Sequence, residues 1–441
     1  MFDYTMLSRI QFTANITFHI LFPTISIALS WFLFFFKVMY NKTKNKKWIE
    51  AYKLWVKIFA LTFALGIVTG VTMSFQFGSN WPGFMETVGN IAGPLLAYEV
   101  LTSFFLEATF LGIMLFGMHK VSNALHTLAT FLVAFGTTFS AFWIMSLNSW
   151  MQTPLGFEMR DGVAYPTNWI EIIFNPSMLD RLAHMLIASG LTTSFIIAGV
   201  ASYQWLNNKK TPSVIVSIKV AVYAASTMSL MQLFSGDHLG LNTQKHQPAK
   251  LAAMEAMWET DTGMPLRLFA IPSTKERRNI FEIGIPKLGS LILTHKLNGE
   301  IKGLNDFKEH PPIIPLFFSF RAMFGIGILM LITSWIASIK IFRHGDINKF
   351  IAIMLFLMTF AGWLATILGW YIAEIGRQPY LVQGVLKTKD AAAIMPKQHI
   401  VASLTAYIIT YIILLFAYIK TVFYIAKQSV INWYKITMSE A

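Results

Sequence analysis

The chain has 441 residues, 55% of them hydrophobic and only 13% charged, where a soluble domain carries roughly 25% charged residues. It has no cysteine, which excludes structural disulfides, thiolate metal sites, iron–sulfur clusters and covalent haem through C-x-x-C-H. Its net charge of +13 sits mostly in short loops beside apolar stretches, so it reads as a membrane-topology signal and no nucleic-acid partner is expected.

Nine stretches are long and apolar enough to cross a bilayer: 15–37, 55–77, 94–118, 125–147, 182–206, 213–234, 316–342, 350–375 and 400–425. Strand-like alternation is absent, so an all-α, polytopic helix bundle is expected, one membrane domain over 1–441. The first stretch is itself long enough to span and no small-residue cleavage site follows it, so no cleavable signal is expected. Lys42, Lys44, Lys46, Lys47, Lys53, Lys120, Lys209, Lys210, Lys340, Arg343, Lys349, Lys427 and Lys435 fall on one side if the N-terminus is outside and the C-terminus cytoplasmic. Arg377, Lys387, Lys389 and Lys397 are the exceptions. The segment 235–315, about 80 residues, has the length of a functional loop.

Ionisable groups inside a bilayer are costly and default to function. In chain order they are His19, Glu99, Glu107, His184 and Glu374, joined by Met323 as a soft ligand. With this topology His19, Glu99, His184, Met323 and Glu374 come from different helices and gather toward the outer face. Glu99, Ser103 and Glu107, at i, i+4 and i+8, share one face of a helix over about 12 Å. They read either as a two-step proton relay or as structural hydrogen bonds. His with Met is a low-spin haem pair, and a lone His or carboxylate suits a haem with an open position. No H-E-x-x-H or paired histidines at helical spacing point to zinc. Against this, an intramembrane His often serves only a helix–helix hydrogen bond, and a Met is usually packing. These residues alone fit a redox protein and an ion-coupled transporter equally.

The run Gly369-Trp370-Tyr371-Ile372-Ala373-Glu374-Ile375-Gly376-Arg377-Gln378-Pro379 closely resembles the G-W-x-x-x-E-x-G-R-Q-P signature of cytochrome bd-type quinol oxidase subunit I. Lys250 through Thr260 resembles that family's quinol-loop motif. Ser8 through His19, Glu99 through Glu107, and Ser319 through Met323 complete the pattern in order. The resemblance implies a subunit that oxidises quinol on the outer side and reduces dioxygen with cytoplasmic protons, without pumping. It implies His184 and Met323 as axial ligands of a low-spin haem b, and His19 and Glu374 as ligands of two high-spin haems, not assigned individually. It places Trp370 between haems, Arg321 and Arg377 near propionates or the quinol end, and Lys250 and Glu255 at the quinol.

Two haem b and one haem d are implied, or haem b in place of haem d. The short loop and His238 and His246 resemble the cyanide-insensitive branch, and Tyr380 stands where Trp often follows G-R-Q-P. The implied partners are a second large subunit, a small single-span one, ubiquinol or menaquinol, and dioxygen, in a bacterial cytoplasmic membrane. The competing readings are a non-redox proton-coupled transporter, which would show broken helices or repeats, and a haem b electron-transfer subunit, which would leave His19 and Glu374 without a role.

Overall fold

The computed structural model describes residues 3–439, with the backbone alone from 429 onward, so Lys435 lies outside the described side chains. Among the described residues nine helical segments are long and apolar enough to cross a membrane: Tyr4–Thr43, Lys46–Ser79, Pro82–Phe116, Asn123–Gln152, Trp169–Leu206, Pro212–His246, Ile313–His344, Lys349–Ile375 and Lys397–Gln428. They are called the first to ninth spans.

Their starts are written in side chains. Asn45 Oδ1 accepts from Lys47 N at 3.1 Å, Ser122 Oγ from Leu125 N at 3.2 Å, and Asn348 Oδ1 from Ile351 N at 3.0 Å. Each satisfies an amide that the first helical turn leaves unpaired. Gly345, with φ of 72°, ends the seventh span in the left-handed conformation glycine adopts without strain.

Each span is longer than its apolar stretch, and three differences matter. The first span starts at Tyr4 rather than 15, so His19 lies about 22 Å along the helix from its start. The sixth runs to His246 rather than 234. No proline interrupts it until Pro248, and its polar end is held by Asn242, which donates to Pro176 O at 2.7 Å and Asp180 Oδ2 at 3.0 Å. His238 is therefore helical, and the loop begins at 247. That loop also contains strands, against the all-helical expectation. Leu266–Ser273 pairs antiparallel with Arg278–Ile285 across a turn at 274–277, and Asp261–Thr262 pairs with Glu300–Ile301.

Four spans are interrupted, the fifth span between Ile173 and Met178. The first is helical over Tyr4–His19 and again over Leu21–Thr43. Pro23 has no N–H to give the His19 carbonyl, so the ladder breaks beside the histidine. The third contains Pro94 and then a wide turn, Glu99–Phe104, in which Phe105 N bonds to Val100 O, five residues back. The eighth breaks between Leu357 and Ala361. There the fifth and eighth spans approach closely: a Cβ on Gly362 would lie 2.6 Å from Thr192 Cα, and Gly199 abuts Thr359. The core is aromatic, with Phe22, Tyr52, Trp55 and Phe59 fully buried. Leu101, Phe105, Ile413 and Phe416 stand exposed on the third and ninth spans, as side chains against lipid do.

Candidate functional site

His184 enters six residues into the long helix Met178–Leu206 and faces the sixth span, where Gln232 Nε2 lies 3.0 Å from its Nε2. The ring's other nitrogen, Nδ1, and Gln232 Oε1 are buried without a partner among the described residues. Gly236, one turn further, keeps the space beside the ring open: a Cβ there would sit 3.7 Å from His184 Cε1. Met323 faces the eighth span, where a Cβ on Gly369 would lie 3.4 Å from its sulfur. A histidine and a methionine thus each border a space left open by a glycine of the helix packed against its own. Trp370, next to Gly369, is half-buried.

His19 Nδ1 lies 2.9 Å from Thr69 Oγ1. Thr69 already donates its hydroxyl to Leu65 O at 2.8 Å, so it accepts from Nδ1–H and leaves Nε2 with a free lone pair. Gly70 gives the ring room: a Cβ there would sit 3.3 Å from Cε1.

The densest polar network surrounds Glu374 at the end of the eighth span. Its Oε1 accepts from Asn148 Nδ2 at 2.9 Å, and its Oε2 pairs with Arg377. Lys250 Nζ donates to Ala373 O at 3.2 Å, and Gln152 Nε2 to the same carbonyl at 3.2 Å. Gln247 Nε2 donates to Gln152 Oε1 at 2.9 Å, and its own oxygen accepts from Arg181 at 3.3 Å. Arg181, Lys250 and Arg377 are all buried, and Glu374 is the carboxylate that acts electrostatically on all three. Arg377 Nε and Nη1 have no acceptor. Burial, then Arg181 and Arg377, hold the Lys250 ammonium well below the usual lysine range, with Glu374 pulling the other way.

Lys250 and Glu255 are not a pair. Between them the helix Pro248–Met254 ends, and Glu255 turns instead to Arg321, 2.6 Å away, with both side chains largely buried. Arg321 Nε also donates to Arg267 O at 2.5 Å, while Arg267 Nη1 reaches Glu255 O at 3.4 Å and its Nε pairs with Glu282 at 2.7 Å. Arg321 Nη1 is buried without an acceptor. Arg321 and Arg377 thus belong to different clusters, one on Glu255 and one on Glu374.

Glu99 and Glu107 both face the fourth span. Glu99 Oε1 accepts from Ser140 Oγ at 2.6 Å. Glu107 packs on Gly136, where a Cβ would lie 2.6 Å from its Cγ, and its Oε1 is buried without a partner. The shared face is as expected, but a regular helix is not its cause, because the wide turn lies between the two carboxyls. Glu99 lies about 25 Å along the third span from Pro82.

Arg181, Asn148, Gln152, Gln232 and Gln247 were not singled out from sequence. Arg181 was findable: a cation one turn before His184, at the very edge of an apolar stretch. The amides carry no such signal.

Histidine and methionine side chains bordered by glycines, with buried carboxyl groups in the same helical membrane bundle, form a donor set of the kind that holds redox cofactors. Residues 7–430 match the family model described as cytochrome bd terminal oxidase subunit I. The chain is 33% identical over 405 residues to a cytochrome bd ubiquinol oxidase subunit 1 of Bacillus subtilis, covering 88% of this chain and 86% of the relative. It is 28% identical over 488 residues to a cytochrome bd-II ubiquinol oxidase subunit 1 of Escherichia coli, covering 95% of each. A putative cytochrome bd menaquinol oxidase subunit I of Bacillus subtilis is 30% identical over 399 residues, covering 88% of this chain and 89% of the relative. The solved structure of bd oxidase from Geobacillus thermodenitrificans superposes with a TM-score of 0.90 at 28% identity, covering 97% of this chain and 99% of that one. The chain belongs to the cytochrome bd terminal oxidase subunit I family.

Proposed function

We propose that this chain is the catalytic subunit of a quinol:oxygen oxidoreductase, holding a low-spin haem b between His184 and Met323 and two high-spin haems at His19 and Glu374. The high-spin pair is one haem b and one haem d, or two haem b. When bound, the haems supply the electron transfer and the reduction of dioxygen to water. The observation that carries this reading is the gathering of the buried basic side chains Arg181, Lys250 and Arg377 around Glu374. Buried charges need partners, and the carboxylates of haem side chains are anions of the right kind. The orphaned guanidinium nitrogens of Arg377 and the unpartnered Nδ1 of His184 fit the same group. Trp370 stands in the path between haems.

The chain's own residues then do the rest. Glu255, fixed by Arg321, takes a proton from quinol, whether ubiquinol or menaquinol. Lys250 stands between that site and Glu374, lending each its hydrogen-bonding end or its positive field. Glu107 and Glu99, each without a cation, gain and lose protons in sequence on the way from the cytoplasm. With the N-terminus outside, quinol protons leave on the outer face and consumed protons enter from the inner one, so charge separates without a pump. A second large subunit and a small single-span one complete the enzyme in a bacterial cytoplasmic membrane.

The test is a reduced-minus-oxidised optical spectrum of the purified complex, with carbon monoxide added. Low-spin and CO-reactive high-spin haem bands are expected together, a red-shifted chlorin band marking haem d. A well-folded preparation without haem would sink the reading. Glu255→Ala is expected to slow quinol turnover while an artificial donor still reduces the enzyme; equal loss with both would remove Glu255 from the quinol site.

A further inference from the structure

The hairpin Leu266–Ser273/Arg278–Ile285 has two unlike faces. In its register Phe269 lies opposite Ile283, Ala270 opposite Glu282 and Ile271 opposite Phe281, so Phe269, Ile271, Phe281 and Ile283 share one face and Ala270 and Glu282 the other. The second face is held to the Glu255 cluster. Arg267 pairs with Glu282, Asn279 donates to Ala256 O at 3.2 Å, and Trp258 Nε1 donates to Asn279 Oδ1 at 3.1 Å. Ala270 is fully buried. Beyond the Phe269–Phe318 contact the first face is left uncovered among the described residues: its four large apolar side chains are 42–52% exposed. Four such side chains side by side on two strands make a patch that calls for a partner or a membrane.

What the patch continues into decides between them. Phe269 packs on Phe318 of the seventh span, with ring centroids 6.2 Å apart. Phe318 and Ile314 are themselves exposed on a membrane-crossing helix. Arg321, which the base of the hairpin grips through Arg267 O, lies about 12 Å along that helix from Ile313. The hairpin therefore lies down the flank of the helix rather than above its end. Its turn carries Lys275, Arg277 and Arg278 against Glu276 alone, a net positive tip that suits phosphate headgroups, while aromatic residues suit the boundary beneath them.

We propose that this hairpin is seated in the boundary of the leaflet on which the loop emerges. Its Phe269/Ile271/Phe281/Ile283 face lies among acyl chains and its basic tip among lipid phosphates. On the quinol reading given above, it follows that the Glu255–Arg321 site is walled from water by a strand pair and open toward the apolar phase where quinol is dissolved.

The chain has no native cysteine, so single labels can be placed cleanly. Ile283→Cys and Phe281→Cys, each nitroxide-labelled in the intact complex, would be measured in nanodiscs of phosphatidylethanolamine and phosphatidylglycerol. Power saturation would use oxygen as the apolar relaxant and a nickel chelate as the aqueous one. Oxygen is expected to dominate at both positions, and the chelate at Lys275→Cys on the tip. Ile271→Cys, on the same face, serves if either variant fails to assemble. Dominance of the chelate at 281 and 283 would overturn the proposal by placing the face in water. Exclusion of both relaxants would overturn it by showing a protein cover, such as a second subunit. Neither readout depends on quinol turnover, so the proposal can fail while the quinol assignment stands.

Discussion

Two polar regions inside this bundle solve opposite problems. Around Glu374, buried side chains are tied to one another by hydrogen bonds and an ion pair, and Arg377 still keeps two guanidinium nitrogens without an acceptor among the described residues. Along the third span, Glu99 and Glu107 meet only a serine hydroxyl and the bare backbone of a glycine. The first arrangement fixes charge, because removing any one member strands another in a medium that screens poorly. The second leaves charge free to come and go, because no cation holds it. The contrast teaches that a buried carboxyl's role is read from its neighbours' charge more than from its depth.

The contrast can be broken by experiment. The largest effect is expected from Arg377→Leu, which strips Glu374 of its ion pair; breaking a buried pair costs about 3–5 kcal/mol. Thermal unfolding of the purified complex should show it together with loss of high-spin haem signal, and an unchanged spectrum would mean that the cluster fixes no anion. Next is Glu107→Gln, which keeps shape and abolishes protonation. Oxygen consumption should fall about 10²-fold or more, the range of general acid–base effects, while the haem spectrum stays intact. Wild-type turnover would place Glu107 among structural side chains. Gly136→Ala sharpens the same point from the other helix. Its new methyl would press on Glu107 Cγ, an overpacking worth about 1–3 kcal/mol, and turnover should drop about tenfold with folding preserved.

The smallest effect is expected at the surface, in Glu309→Gln. Hydrogen bonds from Lys387 and Tyr380 hold the Glu309 carboxyl below the usual range, and the same pairing raises Lys387. A lowered carboxyl stabilises the fold above its unfolded pKa and loses that contribution as pH falls through the folded one. A raised lysine stabilises below its own unfolded pKa and loses it as pH rises further. The pair therefore acts between roughly pH 4 and pH 10, and its loss should be too small to resolve by calorimetry at physiological salt. A clear drop in Tm would show that exposed charge matters here more than buried charge, reversing the comparison.

Much of this was legible in the sequence because the bilayer imposes strong rules. Nine apolar stretches located nine spans, and intramembrane His19, His184 and Glu374 stood out as costly. The limits were local. Hydropathy sees only the part of a helix in lipid, so it missed the eleven residues before 15 and the sixth span's polar end to His246. Lys250 and Glu255 look like neighbours along the chain, yet a helix end between them sends the two side chains to different clusters. Gln152 and Gln247 hold the Glu374 network together, but an amide in a loop or at a helix end carries no charge to betray it.

The wide turn at Glu99–Phe104 has a consequence for how this helix can change. One extra residue is wound into that turn, and a residue in a regular helix is worth about 100° of rotation. Deleting a single residue there can be taken up by the wide turn closing to ordinary winding, so everything beyond it keeps its bearing and Glu107 stays on Gly136. The turn is thus a reserve of chain length: the helix can lose one codon at that point without turning its carboxyl away.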